Sequence, residues 1–94
     1  MQLAQSRRYL QLPAIGLRLQ GRIWTAQGRF AEAQPCFEQS LSELLALDDP
    51  VECARTQEAY GLFYLTRNSE GDFERGQSLM KSAQATFKRL GVNG

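Results

Sequence analysis

The chain has no histidine. That absence removes the commonest general base and the commonest metal ligand together. It excludes Ser-His-Asp and Cys-His catalysis within the chain, and zinc sites that need an imidazole. Cysteine is scarce: Cys36 and Cys53 stand outside any CxxC pair and apart from other soft ligands. Both read as buried structural thiols. Strand formers are few, with Ile15, Ile23, Val51 and Val92 the only isoleucines and valines. There is no glycine-rich phosphate loop and no pair of acids among apolar residues of the kind a glycosidase uses. Neither a basic leader ahead of an apolar stretch nor a run long enough to span a membrane occurs. These absences lead us to expect a reduced, cytoplasmic protein that is not an enzyme and uses no metal, cofactor or membrane.

What is present is ordinary globular composition: 94 residues, 43% hydrophobic and 22% charged. That length allows one small domain. The net charge of +1 is too small to drive nonspecific binding, but it is unevenly laid out. Residues 1–30 carry five arginines and no acid. Residues 31–60 carry seven acids against Arg55 alone, and residues 61–94 five bases against three acids. Blocks of opposite sign suit either pairing within the fold or contact with a charged partner or a like molecule.

Leu, Ala, Gln, Glu and Arg dominate, and these are helix formers. From Phe30 the residues Phe30, Ala33, Phe37, Ser40, Leu44 and Leu47 follow steps of 3, 4, 3, 4 and 3. Phe73, Gly76, Met80, Ala83, Phe87 and Leu90 repeat those steps. Both are helical stripes. They are also one internal repeat, because residues 27–47 slid forward by 43 fall on residues 70–90 with four identities in 21 positions. Gly28 meets Gly71, Phe30 meets Phe73, Gln34 meets Gln77 and Leu47 meets Leu90.

Punctuation predicts the helices. Asp49 caps a helix over 50–67, with Pro50 at its first position and Glu52 placed for a capping box. Asp72 caps a further helix over 73–90, closed by Gly91 with Lys88 and Arg89 in the last turn. Pro13 opens a helix over 13–26, Gly28 marks a turn, and a helix over 30–47 carries Pro35 in its early turns. Residues 1–10 make a separate short leading piece with Leu3, Ala4 and Leu10 apolar. The expected fold is therefore all-α: a leading piece (1–10), one helix pair (13–47), a second (50–90) and a tail (91–94).

The pairs resemble tetratricopeptide repeats. Gly21, Trp24, Gly28, Ala33 and Phe37 supply the small residue and aromatic of a first helix, the turn glycine, and the alanine and aromatic of a second. Tyr64, Arg67, Gly71, Gly76 and Met80 take those places in the second unit, with Gly61 the alternative close-contact residue. A period of 43 is longer than the family's usual repeat. It is similar to the long-helix arrays at the C-terminal ends of bacterial signalling ATPases and transcriptional activators. The resemblance implies a short right-handed solenoid with a repeat core of Gly21, Trp24, Ala33, Phe37, Phe73, Met80 and Phe87. It also implies a groove along the first helices, lined by Ile15, Arg18, Arg22 and Thr25 with Glu58, Gly61, Leu65 and Asn68 as counterparts, that holds a protein or peptide segment. Arg18 and Arg22, four apart on one face, suit a bound carboxylate or simple solvation. Tyr60, Phe63 and Tyr64 read as packing between helices.

Two units are fewer than repeat proteins usually need, and both ends of the stack are expected to expose apolar surface around Phe87, Leu90, Leu3 and Leu10. A homodimer or a longer parent array would cover it. The alternative from another class is a regulatory nucleic-acid-binding helical domain using the basic first third, although no recognition-helix motif is present.

Overall fold

The computed structural model describes residues 3–92, with side chains from Tyr9 onward. It is all-helical, and no strand occurs among the described residues. The helices are α1 (Leu3–Ala26), α2 (Phe30–Ala46), α3 (Pro50–Arg67) and α4 (Asp72–Leu90). α1 packs on α2 and α3 on α4, α2 lies against α3, and α1 touches α3 over a shorter stretch. α1 and α4 do not meet among the described residues. The molecule is correspondingly long, 48 × 28 × 19 Å.

The leading piece and the helix after Pro13 are one helix. Pro13 removes the hydrogen bond that its position would give the Tyr9 carbonyl. Pro13 and Tyr9 both lie on the exposed side of α1, where solvent can meet a carbonyl that loses its partner, and the helix continues. Pro35 likewise sits inside α2 on its exposed side. Among the expected apolar positions of the leading piece, the side chains of Leu3 and Ala4 lie outside the described residues.

The α3 cap forms as its sequence implies: Asp49 Oδ1 accepts the Glu52 N–H at 3.2 Å. The reciprocal half of the box does not form. Asp49 donates its own N–H to the Leu44 carbonyl, and Glu52 is held by Arg18 and Arg55. Asp72 is not the cap of α4 but its first residue, with Gly71 capping at φ 80°. Gly91 ends α4 in the left-handed region at φ 71°, as a C-terminal glycine should.

The core runs along the α2–α3 seam. Ala33, Phe37, Tyr60 and Phe63 are buried there, with Trp24, Phe30, Tyr64 and Leu79 packed around them. Phe37 stacks on Tyr60 at 5.3 Å, and Phe30 meets Phe63 edge-on at 5.9 Å. Phe87 is buried with Ala54 and Ala83, so the C-terminal end does not expose it. Phe73, expected in the repeat core, is 58% exposed. Its counterpart Phe30 is covered because α3 follows α2. No described helix follows α4 to do the same.

Candidate binding groove

The site begins with two glycines. A Cβ on Gly21 would lie 2.8 Å from Cζ of Phe37, so only glycine lets α1 settle onto that ring. A Cβ on Gly61 would lie 3.0 Å from both the Gly76 carbonyl oxygen and Met80 Cγ. The close-contact residue of α3 is therefore Gly61, not Tyr64. Gly21 and Gly61 are 40 residues apart, whereas the α2 and α4 stripes are 43 apart. Aligned on the glycines, Trp24 corresponds to Tyr64, each three residues further on.

This register places Arg18, Arg22 and Ala26 of α1 opposite Glu58, Leu62 and Thr66 of α3. Those residues meet across a trough. One part, of about 360 Å³, is lined by Arg18, Arg22, Arg55, Glu58, Ala59, Leu62 and Met80. The adjoining part, of about 280 Å³, is lined by Arg22, Thr25, Ala26, Ala59, Leu62 and Thr66. Arg22, Ala59 and Leu62 are common to both, which makes the trough continuous.

Its charged groups differ in how far they are committed. Arg18 is only 12% exposed and donates from Nη1 to Glu52 Oε1 at 2.8 Å. The same nitrogen lies 3.4 Å from the Glu52 carbonyl and from Thr56 Oγ1. Arg18 is a strut between α1 and α3. Arg55 gives one nitrogen to Glu52 at 2.9 Å and is otherwise half exposed. Arg22 is exposed and forms no ion pair among the described residues. Thr25 is buried, and its hydroxyl donates to the Gly21 carbonyl at 2.8 Å.

Sequence reasoning named Arg18, Arg22, Thr25 and Glu58, and the structure brings all four to the trough. It does not bring Asn68, which ends α3 in the left-handed region at φ 55° and donates its N–H to the Tyr64 carbonyl. Gly61 and Leu65 face α4 instead, Leu65 lying over Gly76. Arg55, Ala59, Leu62 and Thr66 were missed. The Gly-x-x-aromatic spacing, Gly21–Trp24 and Gly61–Tyr64, sets the shift at 40 for the first helices and so pairs Leu62 with Arg22, Thr66 with Ala26 and Arg55 with Ile15; Ala59, the counterpart of the outward Leu19, carries no such signal.

Two polar clusters lie outside the trough. At the α3–α4 turn the buried Asp72 accepts from Arg67 Nε at 2.8 Å, Arg67 Nη2 at 3.0 Å and the Ser69 N–H at 3.0 Å. The Arg67 guanidinium holds that carboxyl down to about 2. Beside it, Tyr60 donates to Glu38 at 3.0 Å, Tyr64 donates to Tyr60 at 3.1 Å, and Gln34 Nε2 donates to Tyr60 at 3.0 Å. Burial raises the Tyr60 hydroxyl above its ordinary value. These hydrogen bonds among Gln34, Glu38, Tyr60 and Tyr64 tie α2 to α3.

Cys53 is buried and Cys36 half-buried; both are free thiols that burial shifts upward. Among the described residues no three Cys, Asp or Glu side chains gather as metal ligands would. No helix of the described residues is long and apolar enough to cross a membrane. Comparisons with protein-family models, curated proteins and solved structures find no match.

Proposed function

We propose that the chain is a tetratricopeptide-like helix stack, a protein-binding module that holds an acidic peptide segment in the α1–α3 trough. One observation carries this reading: equivalent positions of two successive first helices line a continuous trough, and Arg22 at its centre forms no ion pair among the described residues. The stacking order supports it, since each helix meets its neighbours in sequence and the first and last do not close a ring. The chemistry of the walls supports an acidic ligand, since three arginines outnumber the single carboxylate of Glu58 among the lining residues. Arg22 supplies a planar fork suited to a carboxylate, Arg55 a second cation, and Leu62 with Ala59 an apolar floor for the stem of the bound side chain. Arg18 acts indirectly, fixing the distance between the two walls through Glu52.

The test is fluorescence anisotropy with labelled acidic peptides and their amidated counterparts. Acidic members should bind, and Arg22→Glu should weaken them by about tenfold or more, the worth of one charge-assisted contact. Arg18→Ala should lower stability before it alters the ligand preference. Equal binding by wild type and Arg22→Glu would defeat the proposal.

A further inference from the structure

Helix α1 is apolar on two opposite sides. Its inward side carries Ala14, Gly21 and Thr25, all buried. On the outward side Tyr9, Leu12, Gly16, Leu19 and Ile23 follow steps of 3, 4, 3 and 4, which keeps them on one face. Tyr9 is 74% exposed, Leu12 55%, Leu19 47% and Ile23 51%, and Gly16 between them is open. The flanking positions on that side are Pro13, Gln20 and Ala26, so the described part of the face holds no charged side chain. A contiguous exposed apolar stripe of this kind marks an interaction surface.

Gly16 adds an independent observation. It lies inside the helix, no left-handed φ requires glycine there, and a Cβ would meet nothing within 4 Å. Glycine weakens a helix interior, and no contact within the chain calls for it. Nearly the same number of residues lies on either side of it: Tyr9 and Ile23 are each seven away, Leu12 four and Leu19 three.

We infer that the outer face of α1 pairs with the same face of a second copy of the chain, antiparallel, about a two-fold axis passing over Gly16. Such an axis sets Tyr9 against Ile23 of the other copy and Leu12 near its Leu19. The two glycines meet at the axis, where the absence of side chains lets the backbones approach closely. Because the described face is uncharged, self-pairing sets no like charges against each other there. The outer face of α4 offers no such match, since Gln77, Lys81, Gln84 and Lys88 are exposed on it. With the exposures of Tyr9, Leu12, Leu19 and Ile23, the stripe presents on the order of 500 Å² of accessible surface per copy. The pair thus covers about 1,000 Å², the lower limit for a specific interface. The face borders the peptide trough at Ala26, which lines its edge, but Arg18, Arg22 and Thr25 lie on other sides of α1 and take no part in the pairing.

Sedimentation equilibrium on the full chain from about 1 to 100 µM tests it, across the range where such an interface associates. A dimer is expected. Leu12→Glu with Leu19→Glu should give a monomer that keeps the wild-type helical circular dichroism. If that variant loses helix, Ile23→Gln, a milder change on the same face, decides by weakening the dimer. In a Cys36→Ser background, Gly16→Cys should oxidise to a disulfide-linked dimer, since only a residue on the axis faces its own copy at disulfide distance. Arg22→Glu should leave the dimer intact, which separates this result from failure of the trough. A wild-type monomer at every concentration, a dimer that survives the Leu12/Leu19 change, or no cross-link through residue 16 would each overturn the inference.

Discussion

The two hairpins solve the same closing problem with different materials. In the first, Gly21 of α1 lies on the ring of Phe37; in the second, Gly61 of α3 lies on the backbone of Gly76. The turns differ in parallel. Arg29 stacks on Trp24 at 4.6 Å and pairs with the exposed Glu32. Arg67 stacks on Phe63 at 5.0 Å and pairs with the fully buried Asp72. The first hairpin is therefore closed mainly by an aromatic ring, with an ion pair in solvent contributing little. The second brings its backbones together and fixes its turn by a carboxylate with several donors. A close helix approach can be reached by fitting a large side chain to a missing one or by leaving out both.

The sharpest way to break that contrast is truncation. Phe37→Ala should cost about 3–5 kcal/mol, read from urea midpoints, because the ring is buried between α1 and α3. Met80→Ala, at the corresponding place but half-buried, should cost about 1–2 kcal/mol. Equal losses would mean that the second hairpin depends on its side chains as much as the first.

Filling the glycines comes next. Gly21→Leu should destabilise by about 1–3 kcal/mol through overpacking on Phe37. Gly61→Leu should cost at least as much, since the atom it strikes is a backbone carbonyl that has no rotamer to escape to. An unchanged melting temperature for either would refute that contact.

The turns are separated by acid. The Asp72 carboxyl is held at about 2 in the folded chain, below its ordinary value near 3.9. Its contribution is whole above the ordinary value and disappears as pH falls toward the folded one. Thermal melts between about pH 5 and pH 2 should show stability falling, with Asp72→Asn flattening part of that slope. Arg29 also lowers the Glu32 carboxyl, but that pair is solvent-exposed, and Glu32→Gln should change the slope much less. The smallest effect belongs to Phe73. Phe73→Ser should shift stability by about 0.5 kcal/mol or less, because its face is already in water.

Much of this was legible from residue order. The boundaries of α2, α3 and α4 follow from Gly28, Asp49-Pro50 and Gly91, each of which acts locally. The continuity of α1 was not legible, because whether a proline breaks a helix depends on whether the freed carbonyl reaches water. The register of α3 was hidden for another reason. The 43-residue match comes from α2 and α4, and extending it backwards ignores three residues gained between Gly61 and Gly76 relative to Gly21 and Ala33. That slip is what placed Asn68 beside the groove, whereas Arg18, Arg22 and Thr25 stand on α1, which the slip does not move, and Glu58 is the counterpart of Arg18 at a shift of 40. What Arg18 does could not be read at all, since its partner Glu52 is 34 positions away.

One small contact bears on the trough from beneath. Ser40 of α2 donates to the Ala14 carbonyl of α1 at 2.7 Å, and its oxygen lies 3.2 Å from Thr56 Oγ1 of α3. Both hydroxyls are buried. Sliding any one of the three helices by a turn, about 5.4 Å, would strand them at about 1–3 kcal/mol each. Apolar packing alone would tolerate such a slip far better, one leucine replacing another. The pair of hydroxyls therefore works as an alignment pin, and the spacing at which Arg22 confronts Leu62 is set by a serine and a threonine that no ligand touches.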